Sequence, residues 1–316
     1  MKSRADRVVF EAMVETDAPP EASDALTRIE RLAVRLARAT NETDLGVQVQ
    51  DKFLRSFTYS LVRACLGNRT LYEGLDDVIA MNPDRGVVFA TNHRSFFDQF
   101  AVLLGLYLTG TPWCRTIRFP VRSNFFYERP LGMVINHAIA GGVMYPPIFR
   151  QAERASFNKD AIDRLIKLLA EPGVVIGVHP EGTRGKGPDP YEMLPAQPGI
   201  GQIALNAKPI VLPVFIQGLS NNFAGDVRDN YKPGIRRERP IIVVMGQPVD
   251  YSSLTTSKPR PTLYKKCADL IRARILELAP RERELRAQCV AGEIGDDDPR
   301  WVVNRPHSAV YAALRA

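Results

Sequence analysis

Apolar and polar positions change their period part-way along the chain. Between Leu26 and Cys65 they recur at helical spacing. Projected at about 100° per residue, Leu26, Ile29, Leu32, Ala33 and Leu36 share one face, and Arg28, Arg31, Arg35 and Arg38 the opposite one. Asp24 is placed to cap this helix, which is expected to run to about Thr40. A second helix is expected from about Leu45 to Cys65, with an apolar stripe of Phe53, Leu54, Phe57, Leu61 and Cys65. From Leu71 the pattern becomes short apolar runs alternating with amphipathic stretches. Strands are expected at 86–90, 174–178, 210–216 and 241–245, and helices at 95–108, 156–171, 199–206 and 261–278. That alternation predicts an α/β fold, a layered sheet flanked by helices with an N-terminal helical hairpin.

The breaks between these segments suggest four regions. Residues 1–21 hold the acidic, proline-containing run Glu15-Thr16-Asp17-Ala18-Pro19-Pro20 and are expected to lack order. Residues 22–68 form the helical pair, 69–280 the catalytic domain, and 281–316 a charged tail with a break at Gly295-Asp296-Asp297-Asp298-Pro299. The stretch 217–239, rich in Asn, Gly, Arg and Lys, reads as an exposed loop. Pro213, inside Ile210-Val211-Leu212-Pro213-Val214-Phe215, predicts an edge or irregular strand that shapes a pocket wall.

Charge narrows the partners. The chain of 316 residues carries a formal charge of +7 and a pI near 9.3. Such a balance fits a phosphate-bearing substrate, an acidic membrane surface or nucleic acid, and equally a solvated basic surface. The basic amphipathic helix fits a membrane surface, or an ordinary cover packed on the catalytic domain. The most apolar long stretch, 130–149, contains Asn136, His137 and prolines, so no membrane span is expected there. The N-terminus lacks the apolar core of a signal peptide. Cys65, Cys114, Cys267 and Cys289 have neither metal-ligand nor redox-motif spacing and are expected as free thiols in a reducing compartment.

The chemistry gathers at two strand ends. After the first strand comes Asn92-His93-Arg94-Ser95-Phe96-Phe97-Asp98. His93 suits a general base near neutral pH, and Asp98 could hold one of its ring nitrogens. Asp98 equally fits a capping box with Ser95 as N-cap, and the two roles can coexist. Ser95 reads as that cap rather than a nucleophile, because no Gly-x-Ser-x-Gly surrounds it. After the second strand comes His179-Pro180-Glu181-Gly182-Thr183-Arg184. Arg184 could capture a phosphate in bidentate fashion, and Glu181 could hold a substrate hydroxyl or orient Arg184. Read alone, that run is as well explained as a turn with a surface ion pair. Gly182 to Lys186 lacks nucleotide P-loop spacing. Arg150 offers either a second cation or a structural side chain.

In this order the elements resemble the glycerolipid acyltransferase family, which includes glycerol-3-phosphate and 1-acylglycerol-3-phosphate acyltransferases. Its Asn-His-x4-Asp motif matches Asn92, His93 and Asp98, and its Phe-Pro-Glu-Gly-Thr-Arg motif matches Pro180 through Arg184. Ile210 to Val214 matches an apolar run with a proline, and Gly74-Leu75-Asp76-Asp77 also looks familial. His179 stands where the family usually has an aromatic, most often Phe. Gly142 and Arg150 match the second motif loosely.

The resemblance implies direct acyl transfer. His93 would deprotonate the acceptor hydroxyl, Asp98 would orient the imidazole, and Glu181, Gly182, Thr183, Arg184 and Arg150 would bind the acceptor. Asn92 and Pro213 would shape the pocket. It implies no metal and no cofactor beyond acyl-CoA or acyl-carrier protein as co-substrate. The implied partners are a donor thioester, a phosphate-bearing lysolipid and an anionic membrane surface, not nucleic acid. The implied location is cytoplasmic, peripheral on the inner face of a membrane. The leading acceptor is 1-acylglycerol-3-phosphate; glycerol 3-phosphate or another lysolipid, a hydrolase using the same His–Asp pair, and a silent lipid-binding module are the alternatives.

Overall fold

The computed structural model describes residues 26–108, 110–149 and 155–305. The chain divides into two compact units. The larger holds Leu54–Phe119 and the described residues from Arg164 onward; the smaller holds the described residues up to Phe53 together with Pro120–Asp163. The sequence expectation placed 120–163 in the catalytic domain and 54–68 with the N-terminal helices. The contacts group them the other way. The expected disorder of 1–21, and the cap at Asp24, lie outside the described residues.

The larger unit is built on a six-stranded sheet. Its strands are β1 (Thr70–Glu73), β2 (Val87–Thr91), β3 (Thr116–Arg118), β6 (Val174–Val178), β7 (Ile210–Gln217) and β8 (Ile241–Met245), in the order β1-β8-β7-β2-β6-β3. The pairs are parallel except β7 with β8. The helices Asp98–Leu108, Pro198–Ala207 and Pro261–Leu276 lie close to their expected positions. β2 and β8 are buried along their whole length, as near-continuous apolar strands between layers should be.

Register decides where the site forms. Ala90 pairs with Val178, so the chain leaves β2 and β6 side by side at one edge of the sheet. The motifs that begin at Asn92 and His179, far apart in sequence, therefore emerge together. Such a crevice beyond the carboxyl ends of parallel strands is where open α/β sheets place their ligands.

Pro213 does not mark an edge, because β7 lies between β8 and β2. The ladder to β8 begins only at Val214↔Met245, and the Pro213 carbonyl turns to that side to accept from Gly246 N at 2.9 Å. The missing N–H therefore points past the last antiparallel pair, where no donor is required.

The expected charged tail is structured. Ala279–Ala291 is a helix that buries Leu285 and Cys289. The chain then returns along β1, where Trp301 bridges Leu71 and Tyr72 N donates to Arg300 O at 3.0 Å. Trp301 joins Leu71, Ile242, Val244 and Ile294 in one apolar cluster. Arg305 forms a two-bond pair with Asp76, and Arg300 pairs with Glu73. The edge strand is thus covered rather than left open.

In the smaller unit, Arg28–Glu42 and Asp44–Phe53 form a helical pair, and the short strands β4 (Val121–Arg122) and β5 (Pro147–Ile148) pair in parallel. The second helix, expected to run to Cys65, is interrupted after Phe53 by a π-helical turn at Leu54–Thr58, before Tyr59–Leu66. Thr27 caps the first helix in a reciprocal box with Glu30. The buried face of that helix is Glu30, Ala33, Val34, Ala37 and Asn41, not the leucine stripe. Asn41 donates to Gly142 O and Gln50 to Gly141 O, each at 2.9 Å, so side-chain amides anchor the hairpin. Ile29, Leu32 and Leu36 stay exposed at 47%, 62% and 44%. Leu45, Val49, Leu131 and Val134 of the same unit are exposed as well. No helix of the described residues is long and apolar enough to cross a membrane.

Candidate active site

Asn92 starts the site by extending the sheet. Its side-chain amide donates to Ile216 O at 2.8 Å and accepts from Ile216 N at 2.7 Å, replacing the next rung of the β2–β7 ladder. His93 is thereby set free of strand geometry directly after a fixed residue. Its backbone is held from the other motif: His93 N donates to Glu181 Oε1 at 2.7 Å, and His93 O accepts from Gly185 N at 2.8 Å.

Asp98 Oδ2 lies 3.1 Å from His93 Nδ1. The same oxygen accepts from Arg94 N at 2.8 Å and Ser95 N at 2.9 Å. The cap and the dyad are therefore one arrangement, a carboxylate that closes the helix start and holds the ring. Ser95 acts within it structurally: its Oγ accepts from Phe97 N and donates to Ser220 O. Burial pushes the Asp98 carboxyl up to about 6, against the pull of the two backbone N–H groups that it accepts from. Above that value the carboxylate is an acceptor only, so His93 Nδ1 carries the proton and Nε2 presents the lone pair.

His179 stacks on His93, with ring centroids 3.8 Å apart and planes 7° from parallel. Its Nδ1 lies 2.7 Å from Thr91 Oγ1, 3.2 Å from Thr91 O and 3.0 Å from Asn92 O. Carbonyls only accept, so Nδ1 is the protonated nitrogen and Nε2 is a buried acceptor with no hydrogen-bond partner. Burial, and then the neighbouring His93, pull the His179 ring down to about 3, so it stays neutral across the working range. Among the described residues, His93, Asp98 and His179 are the group whose ligand atoms, within 4.8 Å of one another, could hold a metal ion. Face-to-face rings direct their in-plane lone pairs side by side rather than to a common point, and Asp98 Oδ2 already has three donors. The geometry therefore gives one ring held at Nδ1 by a carboxylate and stacked on a second ring.

Glu181 is 1% exposed, and its two oxygens accept from two backbone groups, His93 N and Leu194 N, each at 2.7 Å. Burial raises its carboxyl above the usual range, opposed by those two bonds. It joins the two motifs rather than meeting Arg184. Gly182 has a φ of +61° and donates to His179 O at 2.9 Å, a turn that favours glycine. Thr183 and Arg184 follow, half-buried. Arg184 Nη1 donates to Asn221 Oδ1 at 2.6 Å, and its guanidinium carbon lies 6.0 Å from the Phe96 ring centroid. Arg150 lies outside the described residues.

The site thus brings together Asn92, His93, Asp98 and the run Glu181 to Arg184. Sequence reasoning missed Asn221 and the stacking role of His179. No spacing pattern marks an Asn in a polar loop; the histidine in an aromatic position was the visible signal for the second.

The Acyltransferase family model matches residues 69–217. Among solved structures, the chain is similar to the 1-acyl-sn-glycerophosphate (LPA) acyltransferase PlsC from Thermotoga maritima, at 16% identity and a TM-score of 0.44, covering 79% of this chain and 88% of that one. No curated protein matches the chain.

Proposed function

We propose, from the premise that the chain belongs to the acyltransferase family through its residues 69–217, that it moves a fatty acyl group from a thioester to the hydroxyl of a lysophospholipid-type acceptor. The donor is acyl-CoA or acyl-carrier protein, and the foremost acceptor is 1-acylglycerol-3-phosphate, giving phosphatidic acid. The observation that carries this reading is the His93–Asp98 pair at 3.1 Å, with the backbone of His93 held by Glu181 and Gly185.

In this mechanism His93 Nε2 takes the hydroxyl proton as the oxygen attacks the thioester carbonyl. Asp98 holds Nδ1–H and offsets the charge of the imidazolium. The tetrahedral intermediate collapses with loss of the thiolate, which receives the proton back from His93 and leaves as the thiol. The ester carries the acyl group, and no covalent enzyme intermediate forms. Arg184 holds the acceptor phosphate.

The test is thiol release from acyl-CoA across a panel of acceptors, with His93→Ala as control. Release that depends on an anionic lysolipid supports the reading. Release at the same rate without acceptor would make the chain a hydrolase.

Work on long-chain lysolipids calls for contact with a bilayer, and we place that contact on the smaller unit. Its exposed Ile29, Leu32, Leu36, Leu45, Val49, Leu131 and Val134 support this, as does the formal charge of +7. The location follows as peripheral, on a cytoplasmic membrane face.

A further inference from the structure

Asn221 lies beyond the family-matched residues, in a stretch whose sequence reads as loop. Its Oδ1 accepts from Arg184 Nη1 at 2.6 Å and from Phe96 N at 3.1 Å, and its Nδ2 donates to Arg94 O at 3.3 Å. One carboxamide therefore ties the guanidinium of the second motif to the backbone of the first. The guanidinium also faces the Phe96 ring.

The residue beside Asn221 is anchored to the core. Ser220 donates through N and Oγ to Asp226 Oδ2 at 3.0 Å and 2.8 Å. The other oxygen of Asp226 pairs with Arg69 Nη2 at 2.5 Å, where both side chains are fully buried. Ser220 O in turn accepts from Ser95 Oγ at 2.5 Å. A buried ion pair thus fixes the loop, and the loop fixes the start of the catalytic helix. This is more support than an exposed amide usually receives.

We propose that Asn221 is a positioning residue that orients Arg184 toward an anionic acceptor headgroup, a phosphate monoester or its like. The inference rests on the acceptor-binding role assigned to Arg184 above. A carboxamide suits this task because it accepts from the guanidinium without cancelling its charge. A carboxylate in the same place would form an ion pair with Arg184 and oppose an incoming anion.

The test compares two acceptors that differ by the phosphate, 1-acylglycerol-3-phosphate and monoacylglycerol, with inorganic phosphate as a competitor. The readout is the ratio of kcat/KM between them. Arg184→Ala should lower the ratio by about 10–100-fold, the loss of a charge-assisted contact. Asn221→Asp should lower it by about tenfold, mainly through KM of the anionic acceptor, and weaken competition by phosphate. Asn221→Ala should lower it by about threefold, as one neutral tether is lost while the charge remains. The Ala variant carries the test should the Asp variant fail to fold. A ratio within about twofold of wild type in the Asn221 variants, beside a collapsed ratio in Arg184→Ala, overturns the role of Asn221 alone. An unchanged ratio in Arg184→Ala overturns the acceptor role of that arginine and this inference with it, while leaving the chemistry of His93 standing.

Discussion

The His179 ring lies flat against His93, 3.8 Å between centroids, while its Nδ1–H is spent on the carbonyls of Thr91 and Asn92. The His93 ring, the proposed base, is therefore braced from its face by a second imidazole that stays neutral. The ring is held at about 3 by burial and then by His93, against an unfolded value of about 6.5. Below pH 6.5 the unfolded chain takes up a proton that the folded chain refuses. This residue thus costs stability increasingly as pH falls toward 3, by about 1.4 kcal/mol per unit. His179→Phe keeps a flat ring and removes that cost. The melting-temperature difference between variant and wild type should move in the variant's favour from pH 7 to 5; a constant difference would contradict a neutral His179.

His93→Ala should reduce acyl transfer by about 10²–10⁴ or more, the usual loss for a general base. Its backbone bonds to Glu181 and Gly185 do not involve the ring, so the melting temperature should change little. Thiol-release kinetics and a thermal melt on one preparation check both statements. Turnover near wild type would remove His93 from the mechanism.

Asp98→Asn should separate rate from fold. The amide oxygen can still accept from Arg94 N and Ser95 N, so stability should shift by only about 1 kcal/mol. The charge that supports the imidazolium is gone, so transfer should fall by at least about 10². In wild type, burial places this carboxyl near 6. Its ionised form, and with it the rate, should decline as pH drops below about 6, and a pH–rate profile reads this limb. For folding the sign is opposite to that of His179: the raised carboxyl favours the folded state at low pH and loses that advantage as pH rises from about 3.9 to 6.

Glu181→Gln should destabilise the fold by about 1–3 kcal/mol, since an amide supplies one acceptor for two buried backbone donors. The rate should drop with little change in acceptor KM, because His93 loses a backbone anchor. A KM-only effect would instead put Glu181 in contact with the acceptor.

Leu32→Asp with Leu36→Asp should weaken co-sedimentation with anionic liposomes in a manner that salt does not mimic. Both side chains are exposed, so the melting temperature should hold. Turnover on bilayer-borne lysolipid should suffer more than on a short-chain soluble acceptor. Unchanged co-sedimentation would move the contact off this helix.

The sequence made legible what continuous apolar runs and fixed spacing can show. β2, β6, β7 and β8 fall within about a residue of expectation because parallel, doubly covered strands are apolar along their length. β1 and β3 escaped for the opposite reason. Thr70-Leu71-Tyr72-Glu73 and Thr116-Ile117-Arg118 are short and mixed, and the Arg69 and Arg118 beside or within them are buried in spite of their charge. The stripe of the first helix gave the period but left open which part of it packs: Ala33, with Ala37 beside it, is buried, while Ile29, Leu32 and Leu36 stay exposed, because small side chains allow closer packing. At the site, His93 and Asp98 were visible by spacing. Glu181 was visible as a residue but not as a clamp on backbone, and Asn221 depended on a contact 37 residues from Arg184 that no local pattern encodes.

The return of the chain along β1 has a consequence for synthesis. Leu71 emerges early from a ribosome, yet its β8 partner Ile242 comes about 170 residues later and its outer neighbour Trp301 about 230 residues later. Until then the sheet offers β1 as an unsatisfied row of donors and acceptors with an apolar face. The residues of both motifs would already be made, but without their frame. A nascent chain stalled after its last motif should therefore be a client of holding chaperones rather than a slow enzyme, and its maturation a single late event.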